Sequence, residues 1–325
     1  MQSLDLPLFA ALPGPPAGWF DVSYCVTLDG RLGILRSQVD LHGDWFRSLG
    51  KGKTRPFVFE RAAARLSTFD GESETAALEF VLESPFPLFD RSIDGDWIVA
   101  NARCKSGERN AVLFTADGVE RRRFRLGDGM EHLQFDADGN IWVGYFDEGV
   151  FGNGDWIAPG HRSPISIYGL VKFSSSGSVL WHLPESSMAD CYSLNVGMSK
   201  AWAYYYTDFP IVEIKIGNGE MIERATALSG GSALACDGRF ALVVGGYRSD
   251  KNRLALLDLK DEAETVALGK FVGEDPAPAS PQLVSGRDDA VHFIANGKWQ
   301  KLSLKDATDQ LKPIGKSPRA GKKRF

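Results

Sequence analysis

The sequence predicts an all-β chain folded as a six-bladed β-propeller of four-stranded antiparallel blades. Three observations carry that expectation. Short apolar alternations separated by glycine turns run along the whole chain. The turns recur at a nearly constant period, the mark of a repeat architecture. Helical patterns are few.

The chain opens with MQSLDLPLFAALPGPPAGWF (1–20), which holds a short apolar patch at residues 6–12. No basic residue precedes the patch and prolines follow at once, so a secretory leader is not expected. A first series of hairpins comes next: VTLDGRLGIL (26–35), RSIDGDWIVA (91–100), QFDADGNIWVG (134–144), SLNVGMSKAWAY (193–204), LACDGRFALVV (234–244) and LVSGRDDAVHF (283–293). Asp-Gly between apolar alternations is a strong hairpin signal, because glycine takes positive φ without a Cβ clash. Four of the six carry Asp-Gly, and the other two keep a glycine at Gly197 and Gly286.

Each first hairpin is followed by a second, the last being KLSLKDATDQL (301–311). The second turns fall near residues 71, 118, 177, 219, 262 and 307, a period of about 47. Two hairpins make four strands, and six such units fill the chain. A four-stranded unit cannot bury both faces alone, whereas six stacked radially bury one another. Ring closure has two forms open to it. Residues 298–314 can supply both outer strands of the last blade, or the arm at residues 1–17 can add one. The propeller is then one domain over residues 18–314, followed by a basic tail, GKSPRAGKKRF (315–325), expected to be disordered and solvated.

Composition narrows the function classes. The net charge of −5 argues against a large basic nucleic-acid surface. No run approaches 18 apolar residues, so no membrane span is expected. The cysteines Cys25, Cys104, Cys191 and Cys236 are far apart and form no C-x-x-C pair, which fits reduced thiols in a cytoplasmic protein. Nothing in the sequence calls for a subunit partner, so a monomer is expected.

The repeat departs from itself twice. Four units need 21 to 24 residues between first and second turns, but the first runs from 30 to 71 and the third from 139 to 177. The extra residues, roughly 37–56 and 147–164, fall between the second and third strands. Strand polarity alternates, so both excursions crown the same face, where loops on a rigid scaffold carry binding groups. The third-unit excursion offers Asp147, Glu148, Asn153, Asp155 and Trp156; the first offers Asp40, His42, Asp44, Trp45 and Arg47. The link GDGMEHLQF (127–135) adds Glu131 and His132, and strand exits add Arg36, Arg103, Tyr206 and Arg248.

DADGNIWVGY (136–145) resembles the D-x-x-G-N-[IL]-W-[VF] unit of bacterial propellers with NHL-type, two-component-regulator and gluconolactonase-type repeats. WVGYFDEGVFGN (142–153) resembles a motif of further bacterial propellers. The resemblance implies fold rather than activity.

The expected function is a binding or scaffold module whose crowned face holds a protein segment or a polar small molecule. Trp45, Trp156 and Tyr206 would anchor it; Arg36, Arg103 and Arg248 would clamp carboxylate or phosphate; Asp147 and Glu148 would add acid groups. The gluconolactonase resemblance implies an alternative, a divalent-metal-dependent hydrolase or lyase with Glu131 as a ligand to calcium or magnesium; His132 beside it could serve as a base, since imidazole titrates near neutral pH. A third reading places calcium on Asp147, Glu148, Asn153 and Asp155, although the spacing is not that of an EF-hand. No reaction is written in the motifs, and the sequence leans away from an enzyme.

Overall fold

The computed structural model describes residues 2–41, 59, 61–105, 107–152, 163–185, 187–260, 262–272 and 282–314. Two N-terminal strands, β1 (Gln2–Asp5) and β2 (Leu8–Ala11), precede six sheets. Blade 1 is β3 (Phe20–Val26), β4 (Leu32–Ser37), β5 (Ala62–Phe69) and β6 (Glu74–Leu82). Blade 2 is β7 (Pro87–Arg91), β8 (Trp97–Asn101), β9 (Ala111–Phe114) and β10 (Glu120–Phe124). Blade 3 is β11 (Met130–Phe135), β12 (Ile141–Tyr145), β13 (Leu170–Phe173) and β14 (Val179–His182). Blade 4 is β15 (Asp190–Val196), β16 (Lys200–Tyr206), β17 (Ile211–Lys215) and β18 (Met221–Arg224). Blade 5 is β19 (Ala233–Cys236), β20 (Phe240–Val244), β21 (Arg253–Asp258) and β22 (Glu264–Val272), and blade 6 begins with β23 (Leu283–Arg287), β24 (Ala290–Ala295) and β25 (Lys298–Ser303).

The fourth strand of blade 6 is β2, antiparallel to β25. The start of the chain thus closes the ring on its end. β1 adds a fifth, parallel strand to the outer edge of blade 5. The hairpin expected at residues 301–311 is not formed. Ser303 ends β25 and caps a short helix, α2 (Leu304–Gln310), by accepting from Asp306 N at 3.1 Å. Leu304, Ala307 and Leu311 then fall on one helical face and are buried beside Leu4 and Leu6 of the arm.

The turns explain why the repeat reads as it does. In Thr27–Arg31, Ser92–Asp96, Thr115–Val119, Asp136–Asn140 and Ser174–Ser178 the fourth residue is a glycine with φ between +74° and +97°. The first residue's side-chain oxygen accepts from the backbone N–H of the fifth in every case. Each is a three-residue loop closed by left-handed glycine, not the two-residue Asp-Gly turn that the dipeptide suggests. Asp136 does more than cap. Wholly buried, it accepts from Trp142 Nε1 and Lys172 Nζ, each at 3.0 Å, so the motif's aspartate also ties the second and third strands of blade 3.

Gly197 and Gly286 serve a different purpose. Neither has positive φ. Gly286 lies within β23, where a Cβ would stand 1.7 Å from Leu234 O of blade 5. These glycines let neighbouring chains approach.

The core is divided into six apolar clusters, one at each blade junction. At the closing junction Trp299 is fully buried and meets Phe9 of the arm edge-on at 4.6 Å. All four cysteines are free. Among the described residues no helix is long and apolar enough to cross a membrane.

Candidate binding face

First strands begin, and second strands end, on one face of the ring. Both long excursions leave from that face, between β4 and β5 and between β12 and β13. Trp45, Trp156, Asn153 and Asp155 lie outside the described residues, as do His42, Asp44 and Arg47.

The third-blade excursion begins as a helical turn, α1 (Asp147–Gly152), seated on the link into its own blade. Phe146 N donates to Gly129 O at 2.9 Å, and a Cβ on Gly129 would fall 2.3 Å from Gly149 Cα. The glycines of this acidic stretch are therefore a seat for backbone against backbone. Val150 turns inward, while Phe151 is 74% exposed.

Arg103, leaving blade 2, pairs with Glu148 of α1, lies 3.3 Å from Asp128, and stacks its guanidinium 5.6 Å from the Phe146 ring. Asp128 is buried and also accepts from Cys104 N. This bridge fastens the excursion to blade 2.

Arg36 is turned inward, in contrast to its expected place as a clamp. It is 1% exposed, pairs with Asp21 at 2.7 Å and with Glu74, and donates to Pro13 O at 2.9 Å. It holds the arm against blade 1. Its place in the register opposite Asp21, and the charge on neighbouring strands, dictate that inward partner set.

Carboxylates gather where blades 3 and 4 meet. Glu131, Asp147 and Asp190 have no cation partner among the described residues. Burial, and then the charges of Asp147 and Glu131, push the Asp190 carboxyl up to about 6. His132 is half-buried on the same inner strand as Glu131, and its Nε2–H donates to Cys191 O at 3.0 Å. Burial pushes its imidazole down, opposed by the Glu131 charge. Among the described residues no three His, Cys, Asp or Glu side chains converge closely enough to hold a metal ion.

Beside these acids lies an aromatic ledge at blades 4 and 5. Tyr192 and Tyr247 share a hydrogen bond of 2.6 Å between hydroxyls, and Phe209 packs within 5.4 to 6.1 Å of Tyr192, Tyr206 and Tyr247. Tyr206 and Tyr247 are 46% and 48% exposed. Arg248 follows Tyr247 at the start of a single 3-10 turn and is exposed. Tyr206 and Arg248, expected on this face, are exposed on it, whereas Phe209, Phe151 and Asp128 are not singled out by the sequence. The signal for Phe151 was an apolar pair, Val150-Phe151, of which a short surface helix can bury only one.

No family model matches the chain, and no curated protein matches it in sequence. Solved structures do match in shape. The structure of U3-55K is 12% identical with a TM-score of 0.53, over 94% of this chain and 83% of that one. The WD40 repeats of RRP9 are 11% identical with a TM-score of 0.53, over 96% and 85%. The Pan2 WD40 domain of Neurospora crassa is 9% identical with a TM-score of 0.50, over 93% and 96%. At such identity the likeness establishes a β-propeller and nothing about activity.

Proposed function

We propose that this propeller is a binding module whose crowned face holds a segment of another protein. One observation carries the reading: five of the six exposed aromatic side chains among the described residues lie on the crowned side, the sixth, Phe9, being packed on Trp299 in the N-terminal arm. Phe20, Phe86, Phe151, Tyr206 and Tyr247 are all exposed on the crowned side. The large apolar residues exposed at the opposite turns are aliphatic: Ile93, Val119, Met198 and Met221. Aromatic side chains offer large contact area at low cost in rotamer entropy, and they anchor protein interfaces. The carboxylates beside them, which have no cation partner among the described residues, with Arg103 already engaged, favour a segment bearing lysine or arginine. Trp45 and Trp156 belong to loops that leave from the same face and remain candidate anchors.

The test compares two triple variants with the wild type. One is Phe151→Ala, Tyr206→Ala and Tyr247→Ala; the other is Ile93→Ala, Val119→Ala and Met198→Ala on the opposite side. A partner recovered with wild type and then purified is expected to bind the first variant at least about tenfold more weakly and the second unchanged. Equal affinity for the wild type and the first variant would remove the proposal.

A further inference from the structure

Blades 1 and 2 meet over unequal strands. β5 and β6 have 8 and 9 residues, whereas β9 and β10 have 4 and 5. The last residues of β6 therefore overhang the outer edge of blade 2, and a cleft of about 360 Å³ opens there toward the crowned side. Its floor is the outermost part of the apolar core at that junction. Phe80 and Leu82, on one side of β6, face Val99 of β8 and Val112 and Phe114 of β9. The Phe80 and Phe114 rings pack with centroids 5.7 Å apart. Small-molecule sites are clefts of roughly 300–1,000 Å³ with an apolar lining and a few polar groups, and this cleft has both the size and the construction.

The rim holds Arg61, Arg109 and Arg123 together with Glu83 and Glu108. Most of these charges are spent on one another. Glu83 is held between Arg61 at 3.0 Å and Arg123 at 2.7 Å, and Arg123 also donates twice to Glu120. Glu108 is turned into its own loop, where it accepts from Lys105 N at 2.8 Å. Arg109 is exposed and has no carboxylate partner among the described residues. Two neutral groups of the lining are also short of acceptors. Asn101 Oδ1 accepts from Arg103 N and Ser84 Oγ accepts from Phe86 N, while the Asn101 amide N–H groups and the Ser84 hydroxyl proton have no acceptor among the described residues. What the cleft leaves open is an apolar floor, one cation and a few hydrogen-bond donors.

We propose that this cleft binds a free aliphatic monocarboxylate of medium chain length, with its chain on the apolar floor and its carboxylate against Arg109. A guanidinium holds a carboxylate through parallel N–H donors, and the spare donors of Asn101 and Ser84 suit the remaining lone pairs of an acceptor-only group. Three arginines against two glutamates leave a single positive charge, which one carboxylate matches and a multivalent anion exceeds. A peptide C-terminus carries the same carboxylate, but it would bury amide groups on a floor that offers them no partner. The cleft lies between blades 1 and 2, apart from the aromatic ledge of blades 4 and 5, so this site stands independently of the protein-binding reading.

The experiment is titration calorimetry of the full chain near neutral pH with hexanoate, octanoate and decanoate, with octanol as the uncharged control and acetyl-glycyl-leucine as the peptide control. Affinity is expected to rise about fourfold for each methylene added along the series. Octanol and the dipeptide are each expected to bind at least about tenfold more weakly than octanoate. Arg109→Gln, at an exposed position that folding does not need, is expected to weaken octanoate by about tenfold and to leave octanol unchanged. Val112→Trp fills the floor and is expected to weaken both; should it fail to fold, the Arg109 variant and the chain-length series still decide. The triple variant of Phe151, Tyr206 and Tyr247 is expected to bind octanoate as the wild type does. No binding of decanoate, equal affinity for octanoate and octanol, tighter binding of the dipeptide, or full octanoate affinity in Arg109→Gln would each overturn the proposal.

Discussion

Glycine has two uses in this ring, and single substitutions separate them. Gly30 has φ +79° and open space around it, so Gly30→Ala meets backbone strain alone. The expected cost is about 1 kcal/mol. Gly286 has ordinary φ but stands against the backbone of Leu234, so Gly286→Ala must push two inner strands apart. Its expected cost is about 3 kcal/mol or more, read from urea unfolding of both variants side by side. Equal losses would show that close approach at the channel is not what the second glycine supplies. Charge at the crowned face makes a prediction at the same scale. The folded-state pKa of Asp190, about 6, lies above the ordinary aspartate value. The folded chain therefore holds its proton more tightly, and stability contributed by the protonated form is lost as pH rises from about 4 through about 6. Asp190→Asn is expected to stabilise the protein at pH 7 and to make no difference below about pH 4. The group is half-buried, so solvent screening limits the gain to about 1 kcal/mol. Urea unfolding of both proteins at the two pH values checks the sign.

At the scale of elements, the sequence shows the hairpins clearly, because five of the turns need a left-handed glycine and an oxygen side chain to cap them. Those demands are local, and local demands are legible in one chain. The sixth outer hairpin was misread because KLSLKDATDQL also carries a Ser cap and an apolar spacing of three and four, and burial under the N-terminal arm favours the helix. Arg36 was misread for the opposite reason: its partners Glu74 and Pro13 are distant in sequence, and no local pattern announces them. The seat of α1 is likewise non-local. Gly129 and Gly149 meet only once blade 3 is folded. Gly129→Ala adds a Cβ into that contact at a position with φ +72°. It is expected to loosen residues 146–152 with faster amide exchange there, while strands of blades 4 and 5 keep their protection. Uniform loss of protection would mean that the helix is not a separately seated element.

Closure of the ring is a property of the whole molecule, and it depends on one indole. Trp299 packs on Phe9 from the arm and lies 6.2 Å from Phe69 of blade 1, so three parts of the chain meet on it. Its Nε1–H donates to His292 Nδ1 at 3.0 Å, which requires that nitrogen to be unprotonated. Burial first, then the charges of Lys301 and Arg287, push the imidazole down to about 3. An unfolded histidine titrates near 6.5, so the unfolded chain takes up a proton that the closed ring refuses. The stability this neutral imidazole contributes is complete above about pH 6.5 and is lost as pH falls toward about 3, at no more than about 1.4 kcal/mol per pH unit. His292→Gln keeps an acceptor for the indole and has no proton to gain. It is expected to flatten the fall of stability between about pH 6 and pH 4 by close to one proton's slope, measured by urea unfolding across that range. Removal of residues 2–11 acts on the same joint from the other side. It strips β2 from blade 6 and removes the buried Leu4 and Leu6, each worth about 1.5–3 kcal/mol. The truncated chain is expected to lose its single unfolding transition at the wild-type Tm. Were it instead to unfold at that temperature with the same acid sensitivity, the ring would be held by blade packing alone and the arm would be a passenger.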